Sequence, residues 1–344
     1  MTLTTAIKLK LPIIQAPMAG VQNSALAVAV SAAGGLGSLP AAMLSPVVLA
    51  AELAVLNATG DPYNVNFFCH RAPAPDLQRE QRWRQQLTPY FTELGIDPQA
   101  IAPAPARKAF DYQTAELLAK FRPPVVSFHF GLPSSALLAQ VKDWGAQVLG
   151  CATTVEEALW LQQHGADAVI AQGLEAGGHR GNFLSNQLSR QSGSLSLLPQ
   201  VIAALDIPVI AAGGIATAAG VKAAIDLGAA AVQLGTSYLL CTEATTSALH
   251  RAALVAPGAG HTALTNVFSG RYARGIVNRA IREQGPDSAY APTFPTAATA
   301  MGALRAAAEA RGSSEFSPLW CGQNVSGAAP IGAGELTRQL ASAL

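Results

Sequence analysis

A glycine-rich loop around a histidine is the part of this sequence best suited to chemistry. The segment LEAGGHRGNF, residues 174–183, places Gly177, Gly178 and Gly181 around His179. Histidine titrates near neutral pH and can serve as a general base. Glycines make the surrounding backbone pliable and leave its N–H groups accessible. Because the loop follows the apolar segment DAVIAQG, we expect His179 to be functional, against the alternative of a surface histidine in a loose turn.

Two further apolar segments lead into glycines. PVIAAGG ends on Gly213 and Gly214, and AVQLGTSYLL contains Gly235 and Thr236. Such glycines either make tight turns only or let backbone N–H groups approach an anion. A helix that begins near Thr217 adds its positive N-terminal end. The two glycine-bearing strand ends together favour a phosphate site, a recurring feature after the last strands of parallel barrels.

Uncharged amides and a second histidine follow the other apolar segments. Gln15, Asn66, Gln172 and Gln233 lie at or near the ends of four of them. Amides offer both donors and acceptors, which suits the heterocyclic edge of a flavin, although buried amides can also simply satisfy backbone groups. His129, in SFHFG, is either a satisfied core histidine or a group that faces the same site.

Composition excludes several other classes. The 344 residues include 22 basic and 21 acidic side chains, for a net charge of +1, and only 12% are charged against about 25% in a typical globular protein. Scattered basic residues exclude a nucleic-acid binder. The most apolar stretch, 201–240, is interrupted by Asp206 and Pro208, so it cannot supply the roughly 20 consecutive apolar residues of a membrane span.

Cysteine and histidine spacing excludes a metal centre. The four cysteines form no CxxC pair, and no two histidines have metal-ligand spacing with a carboxylate. The first residues lack the long apolar core of a secretory signal. We therefore expect no metal, no membrane association and a reducing, cytoplasmic setting. The oligomeric state is not predicted by the sequence.

Eight short apolar segments alternate with helical patterns. They are residues 13–17, 35–40, 63–68, 125–130, 147–152, 167–173, 208–214 and 231–240. Continuous apolar runs are typical of parallel strands buried on both faces. Eight such units predict an α/β fold, a parallel (β/α)8 TIM barrel, over a doubly wound open sheet. Ser45 is the expected N-cap of the helix that starts at Pro46, and another helix is expected from Glu243.

Two regions exceed a minimal barrel. Residues 70–123 are richer in charge and proline, with helical stretches around 76–95 and 112–121, and residues 257–344 hold further helix. We expect 1–69 and 124–256 to form the barrel. Residues 70–123 and 257–344 would then form a smaller, mostly helical substrate or cap domain over one mouth.

The residues resemble a known family. QAPMAG, SFHFG, AQGLEAGGHRGNF, PVIAAGGI, AVQLGTSYL and SGRYARG together resemble class I nitronate monooxygenases, once called 2-nitropropane dioxygenases. The resemblance runs from about residue 12 to 330. GGHRG together with QLGT is fairly specific, whereas the individual pieces also occur in FMN-dependent enoyl-acyl-carrier-protein reductases and in a group of NADH:quinone reductases.

The resemblance implies an FMN-dependent enzyme that oxidises an alkyl nitronate, such as propionate 3-nitronate, with dioxygen to a carbonyl compound and nitrite. His179 would be the catalytic base or steer the nitronate, and His129 would line the substrate pocket. With the amides and glycines above, the expected FMN-binding residues are Gln15, Met18, Asn66, Gln172, Gly177, Gly178, Gly213, Gly214, Gln233, Leu234, Gly235 and Thr236. Arg271, Arg274, Tyr112 and Tyr290 receive no role, and Tyr112, Tyr290 and Trp320 could line the pocket or belong to the core.

Two alternatives remain open at this point. One is an FMN-dependent reductase that uses NADH to reduce a quinone or an enoyl thioester. The other is a flavin-free, phosphate-binding barrel enzyme, such as a sugar-phosphate isomerase or aldolase. Those enzymes usually carry a lysine or a carboxylate pair at strand ends, whereas here Glu175 is the only carboxylate in the histidine loop.

Overall fold

Eleven strands form two sheets in the computed structural model, which describes residues 5, 7, 9–102 and 108–344. In chain order they are β1 (Ile13–Gln15), β2 (Gly37–Pro40), β3 (Tyr63–Phe68), β4 (Val125–His129), β5 (Gln147–Ala152), β6 (Ala168–Gln172), β7 (Gly178–His179), β8 (Val209–Ala212), β9 (Ala231–Leu234), β10 (Thr262–Thr265) and β11 (Ala273–Ile276). Eight of them form one parallel sheet in the order β1-β9-β8-β6-β5-β4-β3-β2. All eight predicted strand segments are therefore confirmed.

The parallel sheet closes on itself between β1 and the chain just before β2. Leu36 pairs with Ile14 in a parallel bridge. Its N–H donates to Ile13 O at 2.9 Å, and its carbonyl accepts from Gln15 N at 3.0 Å. The fold is thus the predicted TIM barrel rather than an open doubly wound sheet.

Helices lie between the strands of the barrel and in the insert and the tail. They are α1 (Ser24–Ala32), α2 (Pro46–Thr59), α3 (Leu77–Gln86), α4 (Thr88–Leu94), α5 (Tyr112–Phe121), α6 (Ser135–Lys142), α7 (Val155–Gln163), α8 (Ser194–Ala204), α9 (Ala218–Asp226), α10 (Ala248–Val255), α11 (Arg279–Gln284), α12 (Ala297–Glu309) and α13 (Ala333–Leu340). Ser45 caps α2 as expected, since its hydroxyl accepts from Val48 N. None of the helices in the described ranges combines the length and apolar character needed to span a bilayer.

The chain after β9 differs from the sequence expectation. β9 ends at Leu234, and residues 236–238 form a single 3₁₀ turn. The helix expected from Glu243 begins only at Ala248, where Ser247 caps it. Glu243 lies before this helix, and its carboxylate accepts from Ala333 N at 2.9 and 3.1 Å. The carboxylate therefore stabilises the N-terminus of α13 instead.

Apolar side chains fill the barrel and separate it from the helices. Ile14, Leu149, Ile170 and Ile210 come from four strands and form part of one buried cluster inside the barrel. Two larger clusters lie between the strands and the surrounding helices. This packing fixes where the carboxyl ends of the strands meet.

A separate apolar core joins the insert to the tail. Trp83 and Phe91 from α3 and α4 pack with Ile281 and Leu304 from α11 and α12. By contrast, α5 and α13 contribute to the clusters of the barrel layer. The expected cap domain of residues 70–123 and 257–344 stays a prediction. Within these two regions, the shared core connects only α3 and α4 of the insert with α11 and α12 of the tail among the helices described. Residues 103–107 of the insert lie outside the described residues.

The close approach of β2 to α1 gives a test of the barrel packing. A Cβ on Gly37 would lie 2.0 Å from Ala27 O, a backbone atom that cannot move without displacing α1. We expect Gly37→Ala to lower the free energy of unfolding by at least about 2 kcal/mol, as overpacking does. Denaturant unfolding measures the change.

Gly302→Ala is the matched control. This glycine lies inside α12, and a Cβ there would meet nothing within 4 Å. Alanine should stabilise the helix by about 0.5–1 kcal/mol. Equal destabilisation by both substitutions would contradict the proposed contact.

Candidate active site

A cavity of about 910 Å³ lies at the carboxyl ends of the barrel strands. Its wall includes every residue that the sequence analysis placed in a site, except Gln15. These are Met18, Asn66, His129, Gln172, Gly177, Gly178, His179, Gly213, Gly214, Gln233, Leu234, Gly235 and Thr236. The fold therefore brings residues from six strand ends to one opening, as the geometry of a parallel barrel requires.

Gln15 does not line the cavity and is bonded within the barrel instead. Its side chain is fully buried. The amide oxygen accepts from Ser38 N at 2.9 Å, and the amide nitrogen donates to Gln22 Oε1 at 2.7 Å. These bonds tie β1 to β2 across the point of barrel closure. The structure thus does not bring Gln15 to the cavity wall, and its amide is bonded to β2 and to the loop before α1 instead.

The loop that carries His179 is held from two directions. The carbonyl oxygen of His179 accepts from Gln172 Nε2 at 3.0 Å and lies 3.2 Å from His129 Nε2. The amide oxygen of Gln172 accepts from Gly181 N at 2.8 Å. Both ends of the Gln172 amide are therefore used to position the loop. The same loop forms β7, which pairs with β11 through His179 and Ala273.

His129 is a neutral hydrogen-bond donor. A carbonyl can only accept, so the Nε2 atom that faces His179 O carries the proton. Burial, with the nearby charge of Arg271, lowers the pKa of His129 to about 3. At neutral pH this ring is uncharged and positions the loop rather than transferring protons.

His179 is half-buried among aromatic rings and one hydroxyl. Its Nε2 lies 2.9 Å from Ser269 Oγ. The ring centroids of Phe294 and Trp320 each lie 5.5 Å from its own. This gives the histidine an apolar wall that limits water, and the Ser269 hydroxyl orients the ring.

Sequence reasoning missed or left open several of these neighbours. Ser269 belongs to the SGRYARG segment, which the resemblance singled out without a role for the serine. Trp320 lines the cavity, whereas Tyr112 and Tyr290 are 58% and 50% exposed and do not. No signal near His179 in the sequence indicates Ser269, because the two residues meet only through the pairing of β7 with β11.

Glycines let the mouth loops and the tail approach closely. Gly213 and Gly214 have φ values of 110° and 73°, in the region that favours glycine. A Cβ on Gly177 would lie 2.5 Å from Gly322 N. Gly322 N also donates to Thr236 Oγ1 at 2.9 Å. The tail therefore crosses the mouth at a distance that larger residues would prevent.

Two helix N-termini lie at the mouth, and a carboxylate is bonded at one of them. The Glu175 carboxylate accepts from Ser194 N at 2.8 and 3.0 Å and from Ser194 Oγ at 2.9 Å. It thereby occupies the N-terminus of α8. The N-terminus of α9, capped by Thr217, follows Gly213 and Gly214 directly. Backbone N–H groups beside that end are suited to an anion.

Gln233 differs from the other amides of the cavity. Its Oε1 is buried and has no hydrogen-bond partner. The amide nitrogen of Asn66, in contrast, donates to Ser127 Oγ at 2.9 Å. Because a buried oxygen without a partner costs free energy, Gln233 is prepared for a ligand that donates a hydrogen bond.

Thiol and metal chemistry receive no support from the described residues. Burial raises the pKa of Cys151, Cys241 and Cys321 to about 12 and raises that of Cys69 as well. These cysteines are therefore protonated and poorly nucleophilic. Within the described ranges, no group of three or more His, Cys, Asp or Glu side chains could hold a metal ion.

Comparison with known proteins matches the whole length of the chain. The family model described as nitronate monooxygenase matches residues 1–342. A nitronate monooxygenase of Pseudomonas aeruginosa is 42% identical over 350 residues, which cover 99% of this chain and 98% of that protein. The nitroalkane oxidase structure from Streptomyces ansochromogenes has a TM-score of 0.89 at 39% identity, covering 99% of this chain and 96% of that one. FabK from Thermotoga maritima has a TM-score of 0.72 at 25% identity and covers 99% and 94%.

Two histidines whose pKa is lowered in the fold should make the stability depend on pH. Burial is the main cause that lowers the pKa of His129 to about 3 and that of His250, which also lines the cavity, to about 4, from the usual 6.5. Between pH 6.5 and 4 the unfolded chain therefore binds more protons than the folded one. The free energy of unfolding should fall as the pH is lowered, by about 1.4 kcal/mol per pH unit for each histidine.

Single substitutions test the two contributions. His250→Gln and His129→Gln should each remove about half of that slope, measured by urea unfolding at several pH values between 4 and 7. In the double variant, the part of the pH dependence of the free energy of unfolding that comes from these two histidines should be absent. An unchanged slope in both single variants would show that other groups cause the acid sensitivity.

Proposed function

The chain belongs to the nitronate monooxygenase family, and from this premise we propose that it is an FMN-dependent enzyme that oxidises alkyl nitronates with dioxygen. The products would be a carbonyl compound and nitrite, and propionate 3-nitronate is a candidate substrate. The observation that carries the proposal is the position of His179, which lines the cavity between the glycine mouth and the aromatic rings of Phe294 and Trp320. The chain is an oxidoreductase by its family, and its proposed substrates are a small nitronate and dioxygen.

The residues of the mouth fit FMN in two places. Gly213, Gly214, Gly235 and Thr236, beside the N-terminus of α9, would hold the phosphate. The unpartnered Oε1 of Gln233 would accept a hydrogen bond from an N–H group of the flavin ring. A cavity of about 910 Å³ also has room for a flavin and a small substrate together.

The remaining cofactor residues would shape the ring site. Met18 and Leu234 supply apolar contacts at the cavity wall, and Asn66 supplies a polar group that Ser127 orients. Gly177 would leave room for the tail beside the histidine loop, and Gly178 would supply the positive φ of 72° that the loop adopts there. Gln172 acts mainly through that loop, since both ends of its amide are already bonded there.

FMN, when bound there, supplies the one-electron chemistry that passes electrons from a nitronate to dioxygen. The protein's own contribution is orientation, electrostatics and the exclusion of water. His179 would donate a hydrogen bond to the nitronate or take up a proton beside it, while Ser269 holds its ring. His129 and Gln172 would keep the histidine backbone at a fixed depth.

Two broader features accompany the proposal. The core shared by α3, α4, α11 and α12 would form a cap over the mouth and shield the reaction from water. All four cysteines are free thiols, which suits a reducing, cytoplasmic setting.

Flavin binding can be tested at the unpartnered amide. Gln233→Leu removes the free oxygen but keeps the size of the side chain, so the Kd for FMN should rise about tenfold, the effect of roughly 1.4 kcal/mol. The ratio of flavin to protein absorbance and titration of the apoprotein with FMN measure this. Gln200→Leu, at an exposed helix position, is the control and should retain FMN. A colourless wild-type protein that does not bind added FMN would contradict the proposal.

The role of His179 can be tested by turnover. His179→Asn should cut nitrite production from propionate 3-nitronate at least about a hundredfold, as expected for loss of a positioned acid–base group, while FMN stays bound. Wild-type activity in this variant would remove His179 from the mechanism. Rapid anaerobic bleaching of the wild-type flavin by NADH, without nitrite formation, would instead favour the reductase function.

A further inference from the structure

One buried and one partly buried arginine lie behind the histidine wall of the cavity. Arg180, next to His179 in the chain, is fully buried. Its guanidinium donates to Gln172 O and Gly173 O at 2.7 Å each and to Gln191 Oε1 at 2.8 Å. All three acceptors are uncharged, so the charge of Arg180 has no hydrogen-bonded counter-ion.

Arg271 has an equally neutral environment. Its guanidinium carbon lies 4.0 Å from the ring centroid of Phe130, and one terminal nitrogen donates to Asn182 O. Its Nε is buried without a hydrogen-bond partner. The Phe130 ring in turn lies 4.5 Å from that of His129, which lines the cavity. The guanidinium is thus two aromatic rings away from the reaction space.

The nearby carboxylates are committed to other groups. Glu157 accepts from Thr153 N, Thr153 Oγ1 and two backbone N–H groups after Asn182. Glu175 accepts from Ser194 at the N-terminus of α8. Neither carboxylate forms an ion pair with Arg180 or Arg271, although Glu157 acts on both arginines and Glu175 acts on Arg180 at longer range. Buried charges are usually paired, so this arrangement is unusual.

The positive potential reaches the cavity wall. Arg271 and Arg180 both contribute to the lowered pKa of His129, after burial itself. Burial also lowers the pKa of each arginine, but only to about 10, so both remain cationic at neutral pH. Charges in a region of low dielectric constant act over longer distances than charges in water.

We propose that Arg180 and Arg271 make the cavity selective for small anions, so that the site takes a nitronate in preference to the neutral nitroalkane of the same carbon skeleton. The assignment of the nitronate rests on the proposed function. The anion selectivity itself rests on the two guanidinium groups and their neutral surroundings. Arg271 is a specificity-determining residue that acts through the Phe130 and His129 rings, without contact with the substrate.

Arg271 offers the cleaner substitution because Arg180 has three hydrogen bonds in the core. Arg271→Met keeps an apolar side chain against Phe130 and removes the charge. Arg271→Gln also removes the charge but can still donate to Asn182 O, which guards against misfolding of the first variant. Arg271→Lys retains the charge. Arg274→Met is the matched control, since Arg274 is a buried arginine of the same segment that bonds to Leu174 O and does not act on His129.

Two probes of opposite charge state give a readout that does not depend on turnover. Calorimetric titration of the purified holoenzyme with sodium nitrate, a planar monoanion, and with neutral nitroethane at pH 6 yields a Kd for each. The KM for ethyl nitronate is measured in parallel. Arg271→Met and Arg271→Gln should raise the nitrate Kd and the nitronate KM at least about tenfold and change the nitroethane Kd less than about twofold, with about 1.4 kcal/mol behind each tenfold change.

The charge-retaining and control variants should keep the wild-type ratio of the two Kd values. Equal weakening of nitrate and nitroethane in Arg271→Met and Arg271→Gln would overturn the inference, as would unchanged nitrate affinity. Selective nitrate binding by a wild-type protein that does not oxidise ethyl nitronate would sink the proposed function and leave the anion selectivity standing.

Discussion

The hydrogen bonds that converge on the carbonyl oxygen of His179 hold the active site together. Gln172 at the end of β6 and His129 at the end of β4 both face this one oxygen. Arg180 adds bonds from the next residue of the loop to the end of β6. A loop rich in glycine would otherwise sample many conformations, because glycine restricts the backbone least. The barrel strands therefore fix the depth and direction of the histidine through backbone contacts.

The same loop links the barrel to the chain after it. As β7, it adds an edge to the antiparallel sheet of β10 and β11, and this pairing brings Ser269 to the His179 ring. Gly177 then allows Gly322 to pass over the mouth, where Thr236 accepts its N–H. The loop of residues 177–181 thus positions His179 and also allows the tail to pass over the proposed cofactor site. The tail also lines the cavity with side chains such as those of Met301 and Trp320, so substitutions in the tail are able to affect the site.

The site contains few charged groups, and these act strongly because they lie in buried surroundings of low dielectric constant. Only 12% of the residues are charged, and the cavity wall near His179 is built from rings, amides and glycines. In such surroundings two guanidinium groups without hydrogen-bonded counter-ions act on His129 at the cavity wall. The carboxylates of Glu157 and Glu175 are held by backbone N–H and hydroxyl donors instead of by these cations. A site of this type suits a small anion beside a largely neutral ring.

The sequence by itself determined the barrel and most of its mouth. Continuous apolar runs predict parallel strands buried on both faces, and the residues after each run must then meet at one end of the barrel. The position of a residue at a strand end does not tell which way its side chain points. Gln15 and Gln172 both end apolar strands, yet the register of β1 turns the first toward Ser38 and the register of β6 turns the second toward the loop. Ser269 comes to the His179 ring through the pairing of β7 with β11, and Trp320 comes to the site through its bridge to Gly275 of β11. Local periodicity reports which segments are buried, whereas contacts between distant segments depend on how complete elements pack, and only the tertiary structure decides those.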